Sequence, residues 1–162
     1  MAESITVSGN TREEKYSSLL PQIKSLAEDK AGQLAVLGNI MSALKYSMDF
    51  FWVGLYEVKG EELILGPFQG TVACTSIGFG KGVCGYAWKH KKTIIVDDVN
   101  TFDGHIACSS DTKSEIVLPV FGKDKQVKMV LDVDSEHLAY FNEVDEKYLK
   151  QVVSIIENTI NT

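Results

Sequence analysis

From Phe50 to Asp134 the apolar residues recur with a period of two, in short runs broken by tight turns. Such a pattern builds strands, because alternate side chains of an extended chain share a face. Phe51, Val53 and Leu55 alternate with Trp52, Gly54 and Tyr56, Lys59-Gly60 turns the chain, and Glu62 to Leu65 return as the hairpin partner. Thr93 to Val96 is a β-branched strand. Glu115 to Phe121, the turn Gly122 to Lys125, and Gln126 to Asp134 make a second hairpin. On either side of this block the period lengthens. Thr11-Arg12-Glu13-Glu14 has the form of a capping box, and Tyr16, Leu19, Leu20, Ile23 and Leu26 follow at helical spacing. A second helix is predicted through Leu34, Leu37, Ile40, Met41, Leu44 and Met48. Asn142 is placed to cap a last helix with Leu149, Val152, Val153, Ile156 and Ile160 on its apolar face. Gly78 to Gly85 is a glycine-rich loop leading to a short helical piece near Tyr86-Ala87-Trp88. Residues 97–114 are polar and without period, and a loop of that length inside a compact domain usually carries function.

Two helices, a run of hairpins and one helix predict a single α+β domain. Its antiparallel sheet would carry the N-terminal helices and the C-terminal helix on one face and a ligand pocket on the other. Residues 1–15 read as a frayed N-terminus and residues 16–162 as the domain. A chain of 162 residues buries roughly 70% of its unfolded surface and needs no disulfide or metal staple. Net charge is −6, and the one dense basic run is Lys89-His90-Lys91-Lys92, which argues against a nucleic-acid partner. No apolar run approaches the roughly 18 residues of a membrane span, and the polar start lacks a signal-peptide core. A cytoplasmic protein is expected. The apolar faces of the terminal helices leave a homodimer open.

The stretch Gly66 to Pro119 holds all three cysteines, Cys74, Cys84 and Cys108. An odd set cannot all pair, and in a reducing compartment such cysteines are catalytic, redox-sensing or metal-binding. Cys84 lies in Gly82-Val83-Cys84-Gly85, where flanking glycines allow backbone movement. Cys108 ends Gly104-His105-Ile106-Ala107-Cys108 in the long loop, with Glu115 seven residues on. A zinc reading through His105 or His90 lacks the C-x-x-C pair that such sites use, so no metal and no cofactor are expected. On the strand Gln126 to Asp134, Val127, Met129, Leu131 and Val133 share the core face, and Asp132 and Asp134 share the other. Neighbouring carboxylates repel unless they are solvated, bind a cation or share a proton. Trp52 and Tyr56 share a face with Gly54 between them, a gap for a ligand group or else an aromatic core with a bulge. A thioether or sulfoxide methyl packs well against such rings.

At these residues the chain resembles the free methionine-(R)-sulfoxide reductases, which are built on a GAF domain. The similarity runs from about Tyr16 to Ile160. It is carried by Trp52-Val53-Gly54-Leu55-Tyr56, Gly66-Pro67-Phe68-Gln69-Gly70, Ala73-Cys74, Gly80-Lys81-Gly82-Val83-Cys84-Gly85, Val96-Asp97-Asp98-Val99, Gly104 to Cys108, Ser114-Glu115-Ile116-Val117 and Leu131-Asp132-Val133-Asp134-Ser135. The resemblance implies a GAF-like catalytic domain over residues 16–162. It makes Cys108 the nucleophile, Cys84 the main resolving cysteine and Cys74 an alternative or auxiliary partner. Glu115, Asp132 and Asp134 would bind the substrate amino group and polarise the sulfoxide, with Trp52 and Tyr56 as walls. Backbone amides near Ile116 and Val117 would meet the substrate carboxylate. The reductant would be thioredoxin. Two other readings stay open: a non-catalytic GAF module that binds a small ligand, and a thiol redox sensor. A phosphate ligand is disfavoured, because it would be desolvated beside like charges.

Overall fold

A computed structural model describes residues 4–162. Helix α1 spans Arg12–Leu26 and α2 spans Gln33–Met48. Strands β1 (Trp52–Lys59), β2 (Glu62–Gln69) and β3 (Ser76–Gly78) follow, then α3 (Gly82–His90) and β4 (Ile94–Val96). One 3-10 turn, Val99–Thr101, interrupts the long loop before β5 (Ser114–Phe121), β6 (Val127–Ser135) and α4 (Glu143–Ile160). The strands form one six-stranded sheet in the order β3-β2-β1-β6-β5-β4, antiparallel at every pairing.

The expected caps are present. The Thr11 hydroxyl accepts from the Glu14 amide while Glu14 reaches back to the Thr11 amide, and Asn142 and Asp145 do the same for α4. Each pair satisfies orphan N–H groups that a helix start leaves open. Residues 1–3 lie outside the described residues. Residues 4–15 differ from the frayed segment expected: Gln22 accepts from the Thr6 amide at 2.9 Å and donates to its carbonyl at 2.7 Å, and Ile5 and Val7 cover the core. The side-chain amide of Gln22 acts here as a strand partner would. Strand β3 was not legible in advance, because Ser76-Ile77-Gly78 lacks the β-branched run that marks the equally short edge strand β4.

The sheet separates two apolar layers. Val53 and Leu55 of β1, Ile116, Leu118 and Val120 of β5 and Met129, Leu131 and Val133 of β6 face α1, α2 and α4. Trp52, Tyr56, Leu63, Val117 and Val130 face the other way, where Val83, Cys84 and Ala87 of α3 pack on them. Val127 belongs to this second layer, not to the face of Met129. The β5–β6 register slips between Val120 and Phe121, and a slip of one residue moves a side chain across the sheet.

On the helical side, fully buried Asp145 receives the Arg12 guanidinium at 2.6 Å, the Tyr16 hydroxyl at 2.7 Å and the Asn142 amide at 3.0 Å. This ties α1 to α4 across most of the chain. Asp145→Ala is expected to lower stability by about 3 kcal/mol, since it strands a buried hydroxyl and a half-buried cation. Urea unfolding with an unchanged m-value checks it.

Candidate active site

The second layer is open where Cys74, Cys84 and Cys108 converge, and a pocket lies among them. Its floor is set by the sheet. In the β5–β6 ladder Glu115 stands opposite Asp134, and Asp132 stands opposite Val117. The same ladder logic places Asp132 opposite Gly54 and Asp134 opposite Trp52 on β1. All three carboxyl groups therefore project from central strands into one pocket. Glu115 is 6% exposed and Asp132 7%, so these are not solvated strand ends.

Burial and mutual repulsion favour the neutral forms. Burial raises the Glu115 pKa well above the usual carboxyl range, and the nearby Asp132 and Asp134 raise it further. Burial raises Asp132 as well, opposed by its hydrogen bonds to Glu115, Cys84 and Asp134. Asp134 is raised by burial and then by Asp132. The cluster thus holds protons in common rather than one per named residue. His105 Nε2 stands 4.0 Å from Glu115 Oε2; burial lowers the His105 pKa and raises that of Glu115, so both shifts weaken an ion pair here. One oxygen of Asp132 and one of Asp134 are buried without a hydrogen-bond partner. Buried carboxyl oxygens left without a partner in a pocket suit a ligand that brings hydrogen-bond donors, such as an ammonium group.

A pH dependence follows. These carboxyl groups have folded-state pKa values above their unfolded ones. Their contribution to stability is full below the unfolded values and is lost as pH rises through the raised ones. The ligand-free protein is expected to lose thermal stability as pH rises above the usual carboxyl range, less so in Asp132→Asn. Melting curves across that range check it.

Trp52 and Tyr56 form the aromatic wall, with ring centroids 6.1 Å apart, and Phe68 stacks on Trp52 at 5.4 Å. The gap at Gly54 is not left for a ligand. The Trp52 ring itself lies over Gly54, and a Cβ there would run into that ring and to within 2.7 Å of Phe68 Cβ. The polar tips of the wall pin the segment that carries Cys74: Trp52 Nε1 donates to the Thr71 carbonyl and the Tyr56 hydroxyl to the Cys74 carbonyl, each at 2.9 Å.

Cys108 is joined to Cys74 in a disulfide, and Cys84 is a free, buried thiol. The expected Cys84–Cys108 pairing is therefore not the one observed. Cys84 sits in the first turn of α3, pressed onto the sheet, with its sulfur 3.9 Å from Glu115 Oε1. Burial, then Asp132 and Glu115, raise its pKa well above that of an ordinary thiol. The glycine beside it serves close packing, not movement: a Cβ on Gly85 would come within 2.6 Å of the Gly78 carbonyl oxygen. Ile116 and Val117 do not line the pocket. Both lie within β5 between β4 and β6, where their backbone groups belong to the sheet ladders. Sequence reading missed Thr71, Val72, Ile106, Ser109 and Thr112, which line the mouth. Val72 is 89% exposed and Ile106 38%, and apolar residues that stand out from loops beside two cysteines were the available signal.

A single antiparallel sheet with helices on one face, and on the other a pocket closed by loops and a short helix, defines a ligand-binding domain of the GAF class. The GAF domain family matches residues 34–161. Within it, the chain belongs to the free methionine-(R)-sulfoxide reductase family. It is 53% identical over 159 residues to GAF domain-containing protein A of Dictyostelium discoideum, covering 98% of this chain and all of that one. It is 41% identical over 151 residues to the free methionine-R-sulfoxide reductase of Escherichia coli, covering 92% of this chain and 90% of that one. The Neisseria meningitidis free methionine-R-sulfoxide reductase in complex with its substrate superimposes with a TM-score of 0.93 at 45% identity, covering 96% of this chain and 94% of the other.

Proposed function

We propose that the protein reduces free methionine-(R)-sulfoxide to methionine, with Cys108 as nucleophile and Cys74 as the resolving thiol. The observation that carries this is the Cys74–Cys108 disulfide at the mouth of a pocket floored by Asp132 and Asp134, each with an unpartnered oxygen. Those oxygens suit the α-ammonium of a free amino acid, which a peptide-bound residue lacks. Glu115 completes the acidic floor. The thioether end lies against Trp52 and Tyr56. For the carboxylate we assign the 105–109 segment rather than Ile116 and Val117, since its amides lie outside any sheet ladder and turns take up those of His105 and Cys108 but not those of Ile106, Ala107 and Ser109. The catalytic unit is the whole domain from α1 to α4.

The chemistry needs a proton and two thiols. Sulfoxide sulfur becomes electrophilic when its oxygen is protonated, and the proton-holding carboxyl cluster supplies that proton. Cys108 thiolate attacks sulfur, oxygen passes to the cysteine, methionine leaves, and Cys108 is left as sulfenic acid. The Cys74 thiol condenses with it, releasing water and forming the observed disulfide. An external dithiol then restores both thiols by exchange, and thioredoxin is the assigned reductant. Among the described residues no helix is long and apolar enough to cross a membrane, which fits a cytoplasmic enzyme served by such a reductant. A homodimer is also proposed, through a surface other than the apolar faces of α1 and α4, which pack into the core.

NADPH oxidation coupled through thioredoxin and its reductase tests the reading. Free methionine-(R)-sulfoxide is expected to turn over, while its (S) epimer and a peptide-bound (R) form are not. Silence with every sulfoxide in fully reduced protein would favour the ligand-sensing alternative.

A further inference from the structure

Cys84 takes no part in the Cys74–Cys108 couple, yet it is buried at the bottom of the pocket among carboxyl groups. One ligand atom each from Cys84, Glu115 and Asp132 lies within 4.8 Å of the other two. A tetrahedral zinc ion, at about 2.3 Å from sulfur and 2.1 Å from oxygen, holds such atoms roughly 3.6 Å apart. The Cys84 sulfur and Glu115 Oε1 are already 3.9 Å apart. Asp132 is 7% exposed, lines the pocket, and has an oxygen with no partner. The three groups come from rigid elements: α3, β5 and β6. Among the described residues this is the one cluster of at least three His, Cys, Asp or Glu side chains with such spacing.

We propose that Cys84, Glu115 and Asp132 form a binding site for a thiophilic divalent cation of the zinc type, which excludes the substrate ammonium from the pocket floor. A mixed sulfur–oxygen set of this kind suits zinc, cadmium or cobalt and disfavours magnesium and calcium, which take oxygen alone. The cation displaces the Cys84 thiol proton and the protons shared by the carboxyl groups, so binding releases acid. Solvent fills the fourth position. The site occupies the same carboxyl oxygens as the amino group in the proposed function, so an occupied site is an inhibited enzyme. The overlap rests on that reading; the cation site itself does not.

The test uses the full chain with the Cys74–Cys108 disulfide closed, in which Cys84 is the one free thiol. Cobalt(II) is titrated and the thiolate-to-cobalt charge-transfer band in the near ultraviolet is read. One cobalt per chain with that band is expected, with displacement by zinc and by free methionine. Cys84→Ser should lose the band. Asp132→Asn should keep it with affinity lowered roughly tenfold or more. Circular dichroism confirms that both variants are folded. No band in the wild type, a band that survives Cys84→Ser, or cobalt and methionine bound together would each overturn the proposal. None of these readings requires sulfoxide turnover, so failure of the cation site is distinct from failure of the reductase assignment.

Discussion

Cys108→Ser is expected to abolish turnover of free methionine-(R)-sulfoxide, by about four orders of magnitude or more, as loss of a nucleophile does. A hydroxyl cannot take the sulfoxide oxygen as sulfur does, and no other thiol lines the pocket from the long loop before β5. Cys74 is nearest, but its segment is pinned by Trp52 and Tyr56. Cys84 is buried and held as a neutral thiol. Cys74→Ser should behave differently. It should release one methionine per chain in a burst and then stop, because sulfenic Cys108 has lost the thiol it pairs with in this structure. Single-turnover methionine release, measured beside steady-state NADPH oxidation, separates the two variants. Equal steady-state recycling in Cys74→Ser would return the resolving role to Cys84.

Asp132→Asn is the second large effect. The side chain keeps its size, but the buried oxygen that faces the ammonium gives way to an amide. Truncating one partner of a buried charge pair costs about 3 kcal/mol, which is a factor of about 150 in kcat/KM. The variant also loses a member of the proton-holding cluster, so kcat should fall along with affinity. An unchanged kcat/KM in a folded variant would place the ammonium elsewhere in the pocket.

The sequence made local features plain and spatial ones obscure. The capping pairs at Thr11 and Asn142, the helical faces and the hairpins are signals a few residues long, and each was found. Asp132 and Asp134 share a face through strand geometry alone, and only their burial had to wait for the structure. Distances between loops were not legible. Separations of ten and twenty-four residues along the chain do not say which two of Cys74, Cys84 and Cys108 meet. That is decided by α3 pressing Cys84 onto the sheet while β1 aromatics hold the Cys74 segment under the Cys108 loop. Of the two readings of Gly54, the aromatic core with a bulge holds: the occupant of its gap is its own neighbour but one, Trp52, and the β1–β2 register shifts there. Val127 misled because a register slip cannot be seen in alternation.

The carboxyl groups proposed to bind the amino acid stand on central strands, whereas the two paired cysteines stand on irregular segments outside them. The acidic floor and the recycling cysteines therefore lie on separate parts of the chain. Replacements in the segments after β2 and β4 can retune which dithiol serves the enzyme while leaving the acidic floor on β5 and β6 intact. A change of substrate has to pass through β5 and β6, where every replaced side chain also answers to the sheet. Exchanging the electron donor is thus expected to need changes in loops alone, whereas exchanging the acidic floor needs changes in the sheet.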